Sequence, residues 1–153
     1  MSDKAWTVRA TAIKHPNSTQ EHLKKALDDD QPLVRQAAVT HPKITTEQLN
    51  KLLSDKDPYV RAAAAKHSNA TKDHLDKAMN DSAWGIRAAA ASNPNATKDH
   101  LDKAMSDESS YVRAAAAKHS NATKDHLDKA LNDSDEYVNM AAKSNPNYKK
   151  YFK

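Results

Sequence analysis

The chain has 153 residues, a formal net charge of +4 and only 38% hydrophobic residues, with no cysteine and one glycine. No apolar run approaches the roughly 18 residues of a membrane span, and Met1 to Trp6 lacks the apolar stretch of a secretory leader, so neither is expected. Disulfides, thiolate-held metals, cysteine nucleophiles and glycine-rich phosphate loops are excluded, and the composition fits a cytoplasmic protein.

A hydrophobic–basic pair returns every 26 residues, at Val8-Arg9, Val34-Arg35, Val60-Arg61, Ile86-Arg87 and Val112-Arg113, and then as Val138-Asn139. Self-similarity at such a period marks a stacked repeat array. Six units are expected in a single domain spanning residues 1–153: 6–31, 32–57, 58–83, 84–109, 110–135 and a terminal cap, 136–153.

Each unit carries two helical signals. In the third, Asp57 is a candidate N-cap, Pro58 suits the first turn, and Val60, Ala63 and Ala64 share a face at i, i+3, i+4. Alanine stands at 12, 38, 64, 90, 116 and 142 in all six units. A side chain held to a methyl group in every copy points to close approach of two backbones. The first helix is expected to end near His67-Ser68-Asn69, because in other copies the next residue is proline: Pro16, Pro42, Pro94 and Pro146.

The second helix is expected to open at Thr19, Thr45, Thr71, Thr97 and Thr123, each able to cap it, with Thr45 and Gln48 forming a capping box. Leu75 and Met79 follow on one face. Helices of two to three turns are marginal alone, so stability must come from stacking. At 8–10 Å between packed helices, the whole is a curved rod about 50 Å long. The closing Tyr148-Lys149-Lys150-Tyr151-Phe152-Lys153 reads as a lid over the end of the core.

The segment Asp55-Lys56-Asp57-Pro58-Tyr59-Val60-Arg61-Ala62-Ala63-Ala64 resembles HEAT and HEAT-like repeats. The short period and the His/Asn-Pro-x-x-Thr turn before a Leu-x-x-x-Leu helix are more similar to the leucine-rich repeat variant. The resemblance covers residues 6 to about 147. It implies an all-α, right-handed α-solenoid in which an α-helix alternates with a shorter, often 3₁₀, helix. It also implies a protein-binding scaffold. The iron–sulfur cluster of one member of that family does not carry over to a chain without cysteine.

Four constellations are candidates for function. Asp29/Arg35, Asp55/Arg61, Asp81/Arg87 and Asp107/Arg113 lie six apart across the turn between units, and the expectation is a carboxylate–guanidinium ladder along the stack. Acid-then-lysine pairs Glu21–Lys25, Glu47–Lys51, Asp73–Lys77, Asp99–Lys103 and Asp125–Lys129 are expected on the second helix. That leaves Lys14, Lys66 and Lys118 at the end of the first helix, Lys72, Lys98 and Lys124 opening the second, and Lys149, Lys150 and Lys153. Of these, Lys66, Lys72, Lys98, Lys118, Lys124 and the C-terminal three are the lysines of an alternative nucleic-acid reading. Histidines recur without the tight three- or four-ligand spacing of zinc, so turn and capping roles are expected, with no metal and no cofactor. Catalysis is not expected, because every carboxylate and serine cluster is a repeating feature rather than a singular one.

What changes between copies is the pair opening the first helix: Trp6-Thr7, Pro32-Leu33, Pro58-Tyr59, Trp84-Gly85, Ser110-Tyr111 and Glu136-Tyr137. Trp6, Tyr59, Trp84, Tyr111 and Tyr137, with Lys66 and Lys118, therefore form the candidate partner surface of a non-catalytic scaffold. The competing role for these rings is to seal the joint between units. Self-association through exposed end units, as in a structural or virion component, is a further alternative.

Overall fold

The computed structural model describes residues 5–152. All regular structure among them is α-helical, in twelve short segments of five to nine residues that pack in series as a helical repeat solenoid. The first helices of the six units are α1 (Ala5–Ile13), α3 (Pro32–Val39), α5 (Pro58–Lys66), α7 (Trp84–Ala91), α9 (Ser110–Lys118) and α11 (Glu136–Lys143). The second helices are α2 (Gln20–Leu27), α4 (Thr46–Leu52), α6 (Lys72–Ala78), α8 (Lys98–Ala104), α10 (Lys124–Leu131) and α12 (Tyr148–Phe152). Consecutive odd-numbered helices pack directly on one another, while α2, α6, α8 and α10 each pack on the odd helices before and after them and α4 packs on α5.

Alanine makes the odd layer possible. Ala38, Ala64, Ala90, Ala116 and Ala142 are fully buried between stacked helices, flanked by Val34, Val60, Ile86, Val112 and Val138. The even helices seal the second layer with Leu23, Leu49, Leu75, Leu101 and Leu127, each fully buried. Ala12 departs from its copies and is exposed, since no unit among the described residues covers α1 on that side.

Turn chemistry explains why helices this short persist. Asp57 caps α5, its carboxylate accepting from the N–H groups of Tyr59 (2.9 Å) and Val60 (3.3 Å). Odd helices close by tightening to i→i+3 bonds, as at His41 N–H to Ala38 O and Asn93 N–H to Ala90 O, both 3.1 Å. No described residue takes a positive φ.

The residue after that turn then folds back on the chain. His41 Nδ1 accepts from Lys43 N–H at 3.2 Å and His67 Nδ1 from Asn69 N–H at 3.0 Å, just as Asn93 Oδ1 accepts from Asn95 N–H at 2.9 Å. Histidine and asparagine alternate here because each places an acceptor two bonds from Cβ.

The second helices are α, not the 3₁₀ form that the resemblance implies. Thr19, Thr45, Thr71, Thr97 and Thr123 head capping boxes closed by His22, Gln48, His74, His100 and His126, and these satisfy the first-turn N–H groups that a tighter helix would otherwise accommodate. At the far end, Tyr151 and Phe152 of α12 lie half-buried against the core. Lys153 lies outside the described residues.

Candidate interaction surface

The aromatic residues owe their position to helix geometry. Tyr59, Tyr111 and Tyr137 stand directly before a buried valine, and Trp84 stands two residues before buried Ile86, so each ring lies off the core-facing stripe. Val60 and Val112 are fully buried and Ile86 is nearly so, whereas Tyr59 is 73% exposed, Trp84 50%, Tyr111 56% and Tyr137 40%. Trp84 stacks on Tyr111 across the joint between α7 and α9, with ring centroids 4.7 Å apart and planes 23° apart. Tyr111 meets Tyr137 at 5.6 Å in a tilted arrangement. Lys118 closes this end, its Nζ 4.9 Å from the centroid of the Tyr137 ring and 3.3 Å from its hydroxyl.

Trp84, Tyr111 and Tyr137 therefore do two things at once: they bridge joints ring to ring, and they keep a large outward surface. Half-buried Ala62, Ala63, Ala88 and Ala115 floor the same face, and Lys66 stands exposed in the last turn of α5. Trp6 does not share the exposure of this row; it is half-buried against the core. The residues that sequence reasoning missed are Leu33, 49% exposed at the matching position of α3, and Met140, 55% exposed on α11. Leu33 was findable, since it occupies the same variable pair as the rings.

The charged ladder exists, but its pairing differs from the six-residue spacing. Arg35 places Nη1 2.7 Å from the backbone oxygen of Asp29, six residues back, while its Nε and Nη2 grip the carboxylate of Asp55, twenty residues on, at 2.7 and 2.8 Å. Arg61 joins Asp55 O to the Asp81 carboxylate, Arg87 joins Asp81 O to Asp107, and Arg113 joins Asp107 O to Asp133. Arg9 holds Asp29. The guanidinium fork spans one turn's carbonyl and the next turn's carboxylate, a task that needs its planar array of donors.

Asn139 completes the series by donating to Ala130 O (2.8 Å) and Asp133 O (3.0 Å) without a charge. The Arg9 guanidinium holds the Asp29 carboxyl below the usual carboxylate range, and Arg113 does the same for Asp133. For Asp55, Asp81 and Asp107, burial pushes upward, but Arg35, Arg61 and Arg87, together with backbone N–H groups, outweigh it and the net direction is down.

The lysines are partnered differently from the sequence expectation. Of the acid-then-lysine pairs, Glu21–Lys25 forms, at 2.8 Å. Lys51 instead reaches Asp28, Lys77 reaches the backbone and side-chain oxygens of Asn50, Lys103 reaches Asn80 and Lys129 reaches Ser106, each in the preceding unit. The carboxylates of Asp73, Asp99 and Asp125 stay in the first helical turn, where the N-terminal dipole favours them.

Lys72, Lys98 and Lys124 pair with Asp76, Asp102 and Asp128 at 2.7, 2.7 and 2.6 Å, which makes their row charge-balanced rather than cationic. Lys149 and Lys150 are exposed on α12, and Lys150 lies 5.2 Å from the Tyr151 ring centroid. Among the described residues, no group of three or more metal-ligating side chains converges, and no helix is long and apolar enough to cross a membrane.

No family model matches the chain, and no curated protein matches it. Among solved structures it is similar to one titled "A leucine-rich repeat variant with a novel repetitive protein structural motif". The TM-score is 0.56 at 21% identity, over 92% of this chain and 72% of the other. The likeness supports a leucine-rich-repeat-variant fold for this chain; it shows the fold alone.

Proposed function

We propose that the protein is a non-catalytic scaffold, working in the cytoplasm, that binds another protein along the outward face of its odd-numbered helices. The observation that carries this reading is the row Tyr59, Trp84, Tyr111 and Tyr137, which keeps 40–73% of each side chain in water. Rings that served only to seal the joints would be buried like Val112. Tyrosine and tryptophan offer large contact area with few rotatable bonds, which makes them effective anchors. The alanine floor lets a partner's main chain approach, and Lys66 and Lys118 favour acidic groups on its flank.

Capture from the native host identifies the partner, and titration with the purified pair tests the site. The triple variant Tyr59→Ala, Trp84→Ala, Tyr111→Ala should bind at least ~30-fold more weakly, since one anchor residue contributes about 2 kcal/mol or more. Its helical circular dichroism should be unchanged because the rings are exposed. Equal affinity of wild type and variant counts against the reading.

A further inference from the structure

At the internal joints a unit grips the one before it through recurring positions, used most fully by the fourth and fifth units. His100 Nε2 donates to Asp76 Oδ1 at 3.0 Å, and His126 Nε2 to Asp102 Oδ1 at 2.8 Å. Their Nδ1 atoms accept from Thr97 N–H and Thr123 N–H, so the ring proton sits on Nε2 and faces the carboxylate. Asn95 Nδ2 donates to Ser68 O and Ala70 O at 2.8 and 2.9 Å. Lys51, Lys77 and Lys103 reach back to Asp28, Asn50 and Asn80. Val60, Ile86 and Val112 lie buried in the same joints.

In the first unit these positions are His22, Asn17, Lys25 and Val8, and among the described residues no unit precedes them. Val8 is 68% exposed. His22 and Asn17 are exposed, and Lys25 is turned onto Glu21. Asn17, His22 and Lys25, with Ala12 and Ile13, line a hollow of about 550 Å³. Ser18, at the position filled by Ile44, Ala70, Ala96 and Ala122, buries its Oγ there with no hydrogen-bond partner among the described residues.

We propose that this face is a second docking site and that it takes a helical hairpin of the same repeat type carried by a partner protein. The hairpin would offer an apolar side to Val8 and a carboxylate to His22 and Lys25, where Asp76 and Asp28 serve the later units. Charge argues against the far end of a second copy. There α12 presents Lys149 and Lys150 and no acidic residue. The site is independent of the aromatic row.

The probe is a 26-residue peptide with the sequence of residues 58–83, added to the full chain. Alone it is marginal as a helical pair, so docking should give saturable anisotropy together with a gain in helical circular dichroism. Asp76→Asn in the peptide, or His22→Ala in the protein, should weaken it about ten-fold by removing a charge-assisted hydrogen bond. Val8→Asp should abolish it, and the triple aromatic variant should leave it unchanged.

The same 26 residues fused ahead of Trp6 remove the cost of association, and the fused protein should melt above the parent unless Val8→Asp is present. Equal peptide binding by the Val8→Asp protein, or a fused unit that leaves the melting temperature unchanged, overturns the proposal. So does dimerisation of the unliganded chain that Val8→Asp abolishes, since that would assign the face to a second copy.

Discussion

Asn93 shows how much one side chain carries. It is 1% exposed, and its Nδ2 donates to Ala65 O at 2.7 Å and His67 O at 3.0 Å, in the unit before. Its Oδ1 shapes its own turn by accepting from Asn95 N–H. Asn93→Ala leaves two carbonyls without their donor inside the joint, and should lower unfolding free energy by about 2–4 kcal/mol in a urea titration. A loss below about 0.5 kcal/mol would show that water replaces the amide. The sequence marks Asn93 as a turn residue, standing where other copies carry histidine. It does not reveal the reach into the neighbour, because that contact joins residues 26–28 apart. The arginine ladder is legible to the same degree. The recurrence of Asp and Arg is visible, but a six-residue spacing suggests a local carboxylate partner, whereas the true one is twenty residues on.

At the level of the element, helix boundaries are well marked in the sequence, since threonine N-caps, first-turn prolines and prolines after the turn are local signals. The α character of the second helices is less visible. It depends on histidine closing the capping box from the third helical position, where glutamate or glutamine is the familiar partner. His22 and His100 perform this local task alike, accepting from Thr19 N–H at 3.1 Å and Thr97 N–H at 2.9 Å. They differ in what lies behind. His100 is 2% exposed and bonded to Asp76 of α6, while His22 is exposed at the end of the array. His22→Ala should therefore cost about 1 kcal/mol, the worth of a cap. His100→Ala should cost about 2 kcal/mol more, through the lost buried ring and the unpartnered joint. Equal losses in chemical denaturation would mean that the inter-unit bond contributes nothing.

Across the whole molecule, period dominates. A 26-residue repeat in which the same methyl-sized positions recur admits few architectures besides a stacked array, so the solenoid is readable from Val8, Val34, Val60 and their copies alone. The outward aromatic row is also readable, as variation against a fixed frame. The mutual stacking of Trp84, Tyr111 and Tyr137 is not, because ring orientation depends on the spacing of neighbouring helices. The ladder ties this architecture to pH. Asp29, Asp55, Asp81, Asp107 and Asp133 all have carboxyls held below their ordinary value in the fold. Each contributes stability that is fully present above the unfolded value of about 3.9 and is lost as pH falls through the lower folded value.

His67 adds to the loss at higher pH. Burial lowers its folded value, so its contribution is full above about pH 6.5 and declines as pH falls from there. Unfolding free energy should thus decline gently below pH 6.5 and steeply below about pH 4, as the unfolded chain binds protons that the folded chain excludes. Asp81→Asn lowers stability near neutral pH, yet it also removes one titrating rung. The steep segment should then become shallower by up to about 1.4 kcal/mol per pH unit, the weight of one proton. Urea titrations from pH 3 to 7 on both proteins check this. Parallel curves would show that Asp81 binds its proton equally well folded and unfolded, and that the ladder holds the units together by shape and hydrogen bonding without any stabilisation of the charged carboxylate.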